Sequence, residues 1–185
     1  IPKGLVGSEM CIRDSSDIDD WKNLSKVYYE ASPEVNGIKI PILWGTDAVH
    51  GHNNVMGATI FPHNIGLGAT RNIDLLKKIG SAVAREVVST GIIWTFAPTI
   101  AVPQNDLWGR TYEGYSENTN LVSDLGKSFI EGLQGTHEDF LGNEKVLATA
   151  KHFLGDGGTD QGIDQGNTIM SELSLKKIHG TPYYD

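Results

Sequence analysis

One order, repeated three times, narrows the fold most: a short apolar run, a long polar loop, then an amphipathic helix. The apolar runs are residues 38–44, 92–97 and 146–150, each with the character of a strand buried on both faces. After Asn72, which can cap a helix, Leu76, Ile79, Val83 and Val87 form one apolar stripe. After Asn118, Leu121, Leu125, Ile130 and Leu133 form another. Gly91 and Gly135 stand just past the stripes, where a left-handed residue is wanted. A helix is also expected over 17–31, where Trp21, Leu24, Val27 and Tyr28 recur at helical spacing, and another over 172–179. Pro33 and Asn36-Gly37 turn the chain after the first of these.

Alternating strands and helices imply parallel strands joined by crossover helices. The polar loops all follow strands and never precede them. A (β/α)8 barrel carries its active site on that face, and a doubly wound sheet also binds ligands at strand C-termini. The order alone leaves both open. A complete barrel takes about 250 residues, so three units in 185 residues are less than half of one.

Composition removes several function classes. The net charge is −8 and no Lys/Arg run exists, which argues against nucleic acid. No apolar run approaches the ~18 residues a membrane span requires. The single Cys11 excludes an internal disulfide and a cysteine-based zinc site. Residues 1–15 have no helical or strand period and read as a non-native or disordered segment, its stretch Leu5 to Ser15 similar to translated sequencing adapter. Residues 16–185 then form the domain.

The three loops carry the chemistry. Asp47 leaves the first apolar run within Gly45-Thr46-Asp47-Ala48-Val49-His50-Gly51-His52-Asn53-Asn54, where its carboxylate can accept two sugar hydroxyls or cap a turn. The His50-Gly51-His52 pair also suits one metal ion, with Lys151 as a further ligand, as in metal-dependent hydrolases on the same barrel. In the second loop Arg110 offers a rigid fork of donors, to sugar oxygens or to Glu113 or Glu117 in a salt bridge. Trp108, Tyr112 and Tyr115 there offer flat apolar faces, to a pyranose or to a core. Lys151 ends the third apolar run, where burial requires an acceptor such as a carboxylate or sugar oxygens, and His152 adjoins it.

These blocks resemble glycoside hydrolase family 3. The first loop continues through Ala58-Thr59-Ile60-Phe61-Pro62-His63-Asn64, the second contains Trp108-Gly109-Arg110-Thr111-Tyr112-Glu113, and the third contains Lys151-His152-Phe153-Leu154-Gly155-Asp156-Gly157-Gly158-Thr159. All three stand in family order and spacing. The resemblance implies an α/β fold, the first three βα units or so of a TIM-type barrel. It implies that Asp47, Arg110, Lys151 and His152 hold the terminal glucosyl unit of a β-glucoside or β-glucan, hydrolysed with retention. In the family the nucleophile is an Asp of a later barrel strand and the acid/base a Glu of a second domain. Neither segment is expected within these residues, so no catalytic carboxylate is assigned and the segment alone is expected to be inactive. No cofactor or metal is implied, the partner is a carbohydrate, and the compartment suggested is periplasmic or extracellular. The family's β-N-acetylglucosaminidases carry Lys-His-Phe-Pro-Gly-His-Gly, against which Leu154 and Asp156 are departures.

Overall fold

The computed structural model describes residues 17–184, so the expectation for residues 1–15 lies outside the described residues. Helix α1 (Ile18–Ala31) starts where the Asp17 carboxylate accepts from the Asp19 and Asp20 backbone amides at 3.0 and 2.9 Å. Its one buried side chain, Trp21, stacks on Trp44 with ring centroids 5.5 Å apart. The edge of Tyr28 closes on the same Trp44 ring at 4.9 Å.

The first apolar run departs from expectation. Its start makes a small antiparallel hairpin, β1 (Glu34–Val35) with β2 (Ile38–Lys39), turned by Asn36 and Gly37 at positive φ. Pro41 has no N–H for a ladder, and Ile40, Ile42 and Leu43 are exposed rather than buried on two faces. The parallel strand is the next pair of residues, β3 (Gly45–Thr46).

Helix α2 (Asn64–Thr70) was not expected: too few of its seven residues are apolar to make a stripe. Helix α3 (Ile73–Ser89) and helix α4 (Thr119–Gln134) lie where their stripes place them. Asn72 and Asn118 cap them, each accepting a backbone N–H at 3.0 Å, from Leu75 and Leu121. Leu76, Val83 and Val87 of α3 and Val122, Leu125, Phe129 and Leu133 of α4 are fully buried. Each such side chain contributes about 1.5–3 kcal/mol by leaving water. The helices touch backbone to backbone: a Cβ on Gly80 would lie 2.4 Å from Phe129 O, and one on Gly132 2.3 Å from Lys77 O.

Between α3 and α4 runs β4 (Trp94–Thr95), parallel to β3 in the register Gly45 to Trp94 and Thr46 to Thr95. The third apolar run lies beside β4. Thr95 N donates to Leu147 O at 2.8 Å, Thr149 N to Ala97 O at 2.9 Å, and Ile100 N to Lys151 O at 2.6 Å. Strand β3, strand β4 and the third apolar run therefore stand side by side in that order, all parallel, with α3 and α4 as the crossovers, and only the first of the three expected strands is displaced, from residues 38–44 to Gly45–Thr46. Ile92, Ala97, Ile100 and Val146 join the helices in one core. The described residues form an open arc of a barrel. The last expected helix is split into α5 (Glu172–Leu175), a wider turn over Lys176–Gly180 and a 3-10 turn over Thr181–Tyr183.

Candidate functional site

Parallel neighbours bring their C-terminal ends to one edge, so Asp47, the loop after β4, and Lys151 with His152 meet there. Lys151 Nζ lies 2.5 Å from Asp47 Oδ1. This carboxylate is the acceptor that the half-buried lysine requires.

Arg110 precedes a 3-10 turn, Thr111–Glu113, whose tight pitch sets the two residues' side chains together. Its Nε and one terminal nitrogen donate to the two Glu113 oxygens at 2.7 and 2.8 Å. Of the two fates open to Arg110, the salt bridge is realised with Glu113, and further donors still face the site. One reaches His152 Nε2 at 3.0 Å. An arginine can only donate, so Nε2 accepts and the ring proton sits on Nδ1. Asp156 Oδ2 lies 3.0 Å from that Nδ1 but off the line of a hydrogen bond, and acts on the ring as a charge.

The electrostatics agree with this order. Burial, then the Arg110 charge, holds the His152 pKa below its usual value, against the pull of Asp156 and Glu113. Burial alone would raise the Glu113 carboxyl. The hydrogen bonds from Arg110 and the charges of Arg110, His152 and Lys151 outweigh it, so the group is held below the usual carboxylate range. The Glu113 hydrogen bond raises Arg110 in turn.

The four expected residues do not share one simple bowl. A cavity of about 210 Å³ is walled by Asp47, Lys151, Arg110 and Glu113, with His50, Asn53, His63 and Tyr112. A second, of about 360 Å³, is walled by Arg110, His152, Asp156 and Phe153, with Gln165 and Thr168. Arg110 belongs to both and joins them.

Other candidates fall elsewhere. Trp108 and Tyr115 are core residues, 1% and 2% exposed, so only Tyr112 presents its ring to the site. His50 donates Nδ1–H to Phe61 O at 2.9 Å and lies against the His63 ring, tilted by 32°, with centroids 3.9 Å apart. His52 is fully buried beside Trp21. The Thr90 hydroxyl donates to Val87 O at 2.6 Å, so its oxygen receives Nε2–H of His52 at 3.2 Å. The two histidines thus face different surroundings, and among the described residues no group of three or more His, Cys, Asp or Glu could hold a metal ion. Glu113, His63 and Asn53 were not among the expected site residues. A Glu three positions after an Arg signals a pairing, but nothing in the sequence shows that the turn faces the cavity.

The family model of the glycosyl hydrolase family 3 N-terminal domain matches residues 1–185. The chain belongs to glycoside hydrolase family 3. Family 3 relatives include a lysosomal beta glucosidase of Dictyostelium discoideum, 34% identical over 94% of this chain and 21% of its own length. A beta-xylosidase of Formosa agariphila is 35% identical over 82% of this chain and 22% of its own. Among solved structures, the exo-1,3/1,4-beta-glucanase of a Pseudoalteromonas species superposes with a TM-score of 0.88 at 51% identity, covering 93% of this chain and 22% of that one. The chain spans about a fifth of the length of these relatives. The α/β fold, an arc of the family's barrel, follows from this likeness.

Proposed function

We propose that the protein to which these residues belong removes terminal β-D-glucosyl units from β-glucosides or β-glucans, with retention at the anomeric carbon. One observation carries the reading. Groups from three strand ends, Asp47, Arg110 and the Lys151-His152 pair, are linked by contacts of 2.5–3.0 Å into one rim of donors and acceptors. A pyranose presents hydroxyls around its edge and C–H groups on its faces. Asp47 would accept from hydroxyls, Lys151 and Arg110 would donate to their oxygens, and the exposed ring of Tyr112 would meet a C–H face. Such contacts lie away from the broken bond, yet they raise the rate if they tighten as the ring approaches its oxocarbenium-like geometry.

Retention requires a nucleophile and an acid/base about 5–5.5 Å apart. The site's own carboxylates are poor choices. Glu113 is held ionised by Arg110 and is unsuited to give up a proton, and Asp47 is tied to Lys151. Their work in this reading is to hold the sugar. We read residues 16–185 as the barrel part that supplies this grip. The complete gene product, given an aryl β-glucoside, should release β-glucose as first product. Failure to release glucose overturns the reading.

A further inference from the structure

We propose that Glu113 is a positioning residue that decides which of the two cavities the Arg110 fork serves. The proposal rests on the glucosidase reading above and extends it to a residue that the sugar-holding set did not contain.

Arg110 stands between two sets of carboxylates. On the side of the smaller cavity, Glu113 binds it through both oxygens, at 2.7 and 2.8 Å. On the other side Asp164 is 4.0 Å away, and Asp156 adds its charge across His152. Glu113 walls only the smaller cavity, with Asp47 and Lys151, whereas Asp156 walls only the larger. A planar guanidinium held at two points cannot swing, so the paired fork fixes where its remaining donors aim.

Glu113 is itself fixed from behind. The fully buried Asn64 donates Nδ2–H to Glu113 O at 2.8 Å, anchoring the turn to the start of α2. The carboxylate also carries the charge that lets Lys151, Arg110 and His152 crowd one rim, since all three cationic or titratable groups act on it. Its removal would leave Lys151 and Arg110 repelling each other, with Asp164 at 4.0 Å as an alternative acceptor for the arginine and the charge of Asp156 on the same side. Arg110 would then turn toward the larger cavity and leave the sugar beside Asp47.

The test uses the complete gene product and three variants: Glu113→Gln, Glu113→Asp, and Glu113→Gln combined with Asp164→Asn. For an aryl β-glucoside, Glu113→Gln should raise KM at least ~10-fold, with the melting temperature within ~2 °C of wild type. Glu113→Asp should recover part of the loss. Adding Asp164→Asn should recover part as well, because the competing acceptor is gone. A crystal structure of Glu113→Gln should show Arg110 moved to Asp164. The proposal is overturned if KM stays within twofold, if lost activity merely follows lost melting temperature in all three variants, or if Arg110 keeps its place in the crystal. An inactive wild type would instead remove the glucosidase reading, and the crystal structure would still judge the role of Glu113.

Discussion

Lys151 Nζ stands 2.5 Å from Asp47 Oδ1, across 104 residues of sequence. The pair ties the exit of the first parallel strand to that of the third. It is partly exposed, with the Asp47 side chain at 35% and Lys151 at 16%, so solvent screens it. Breaking it with Asp47→Asn should cost only about 1 kcal/mol of stability. The loss of a charged acceptor for sugar hydroxyls should cost more, about 1.5–3 kcal/mol of transition-state binding. The variant of the complete gene product is therefore expected to melt near wild type while kcat/KM falls about 10- to 150-fold. Paired melting and initial-rate measurements separate the two effects.

Arg110 makes the second link. Its fork spans Glu113 and His152, and an ammonium cannot copy that planar spread. Arg110→Lys should thus behave nearly as badly as Arg110→Ala, with kcat/KM down at least ~10-fold in each. Steady-state kinetics of both variants check this. A lysine variant close to wild type would show that charge alone suffices.

The helical half of the fold was plain in the sequence because its signals are local. Asn72 and Asn118 cap the helices they precede; the stripe after Asn72 is the buried face, whereas in the second helix Val122 and Phe129 are buried with Leu125 and Leu133, and the expected Leu121 and Ile130 are only half-buried. The strands were less legible. Residues 38–44 are apolar enough to suggest a strand buried on both faces, but the Asn36-Gly37 turn draws Ile38 and Lys39 into a hairpin, Pro41 interrupts the run, and the parallel pairing falls on Gly45 and Thr46. The site divides in the same way. Asp47, Arg110, Lys151 and His152 were expected from residue type in loops after strands, and the structure brings them to one edge. Glu113 was not expected there, because its place comes from a 3-10 turn and its surroundings from charges that arrive from other loops. Trp108 and Tyr115 share Tyr112's chemistry, and only the packing tells core from cavity.

The buried His52 sets a pH dependence. Burial lowers its pKa from 6.5 to about 4. Between these values the unfolded chain binds a proton that the folded chain refuses, so stability rises with pH across this window. The contribution is whole above about pH 6.5 and lost as pH falls toward 4, on the order of 3 kcal/mol. His63, His152 and His179, also lowered by burial, act in the same direction. Urea unfolding between pH 4.5 and 7.5 should show this slope, and His52→Gln should flatten part of it. An unchanged slope in the variant would refute the assignment.

Close approach of α3 and α4 gives a prediction about packing. A Cβ at residue 132 would meet Lys77 O at 2.3 Å and Ser81 N at 2.9 Å. Backbone cannot yield as a flexible side chain can, so Gly132→Ala should destabilise by about 1–3 kcal/mol despite the better helix propensity of alanine. Chemical denaturation of the variant reads this directly. A stabilised variant would mean that the two helices do not touch backbone to backbone.

The grip on one sugar ring is the claim on which the functional account depends. A crystal structure of the complete gene product soaked with glucose tests it most directly. The account predicts one glucose whose hydroxyls lie within hydrogen-bonding distance of the Asp47 carboxylate, the Arg110 guanidinium, the Lys151 ammonium and the His152 ring. Glucose bound out of reach of these four groups would contradict it.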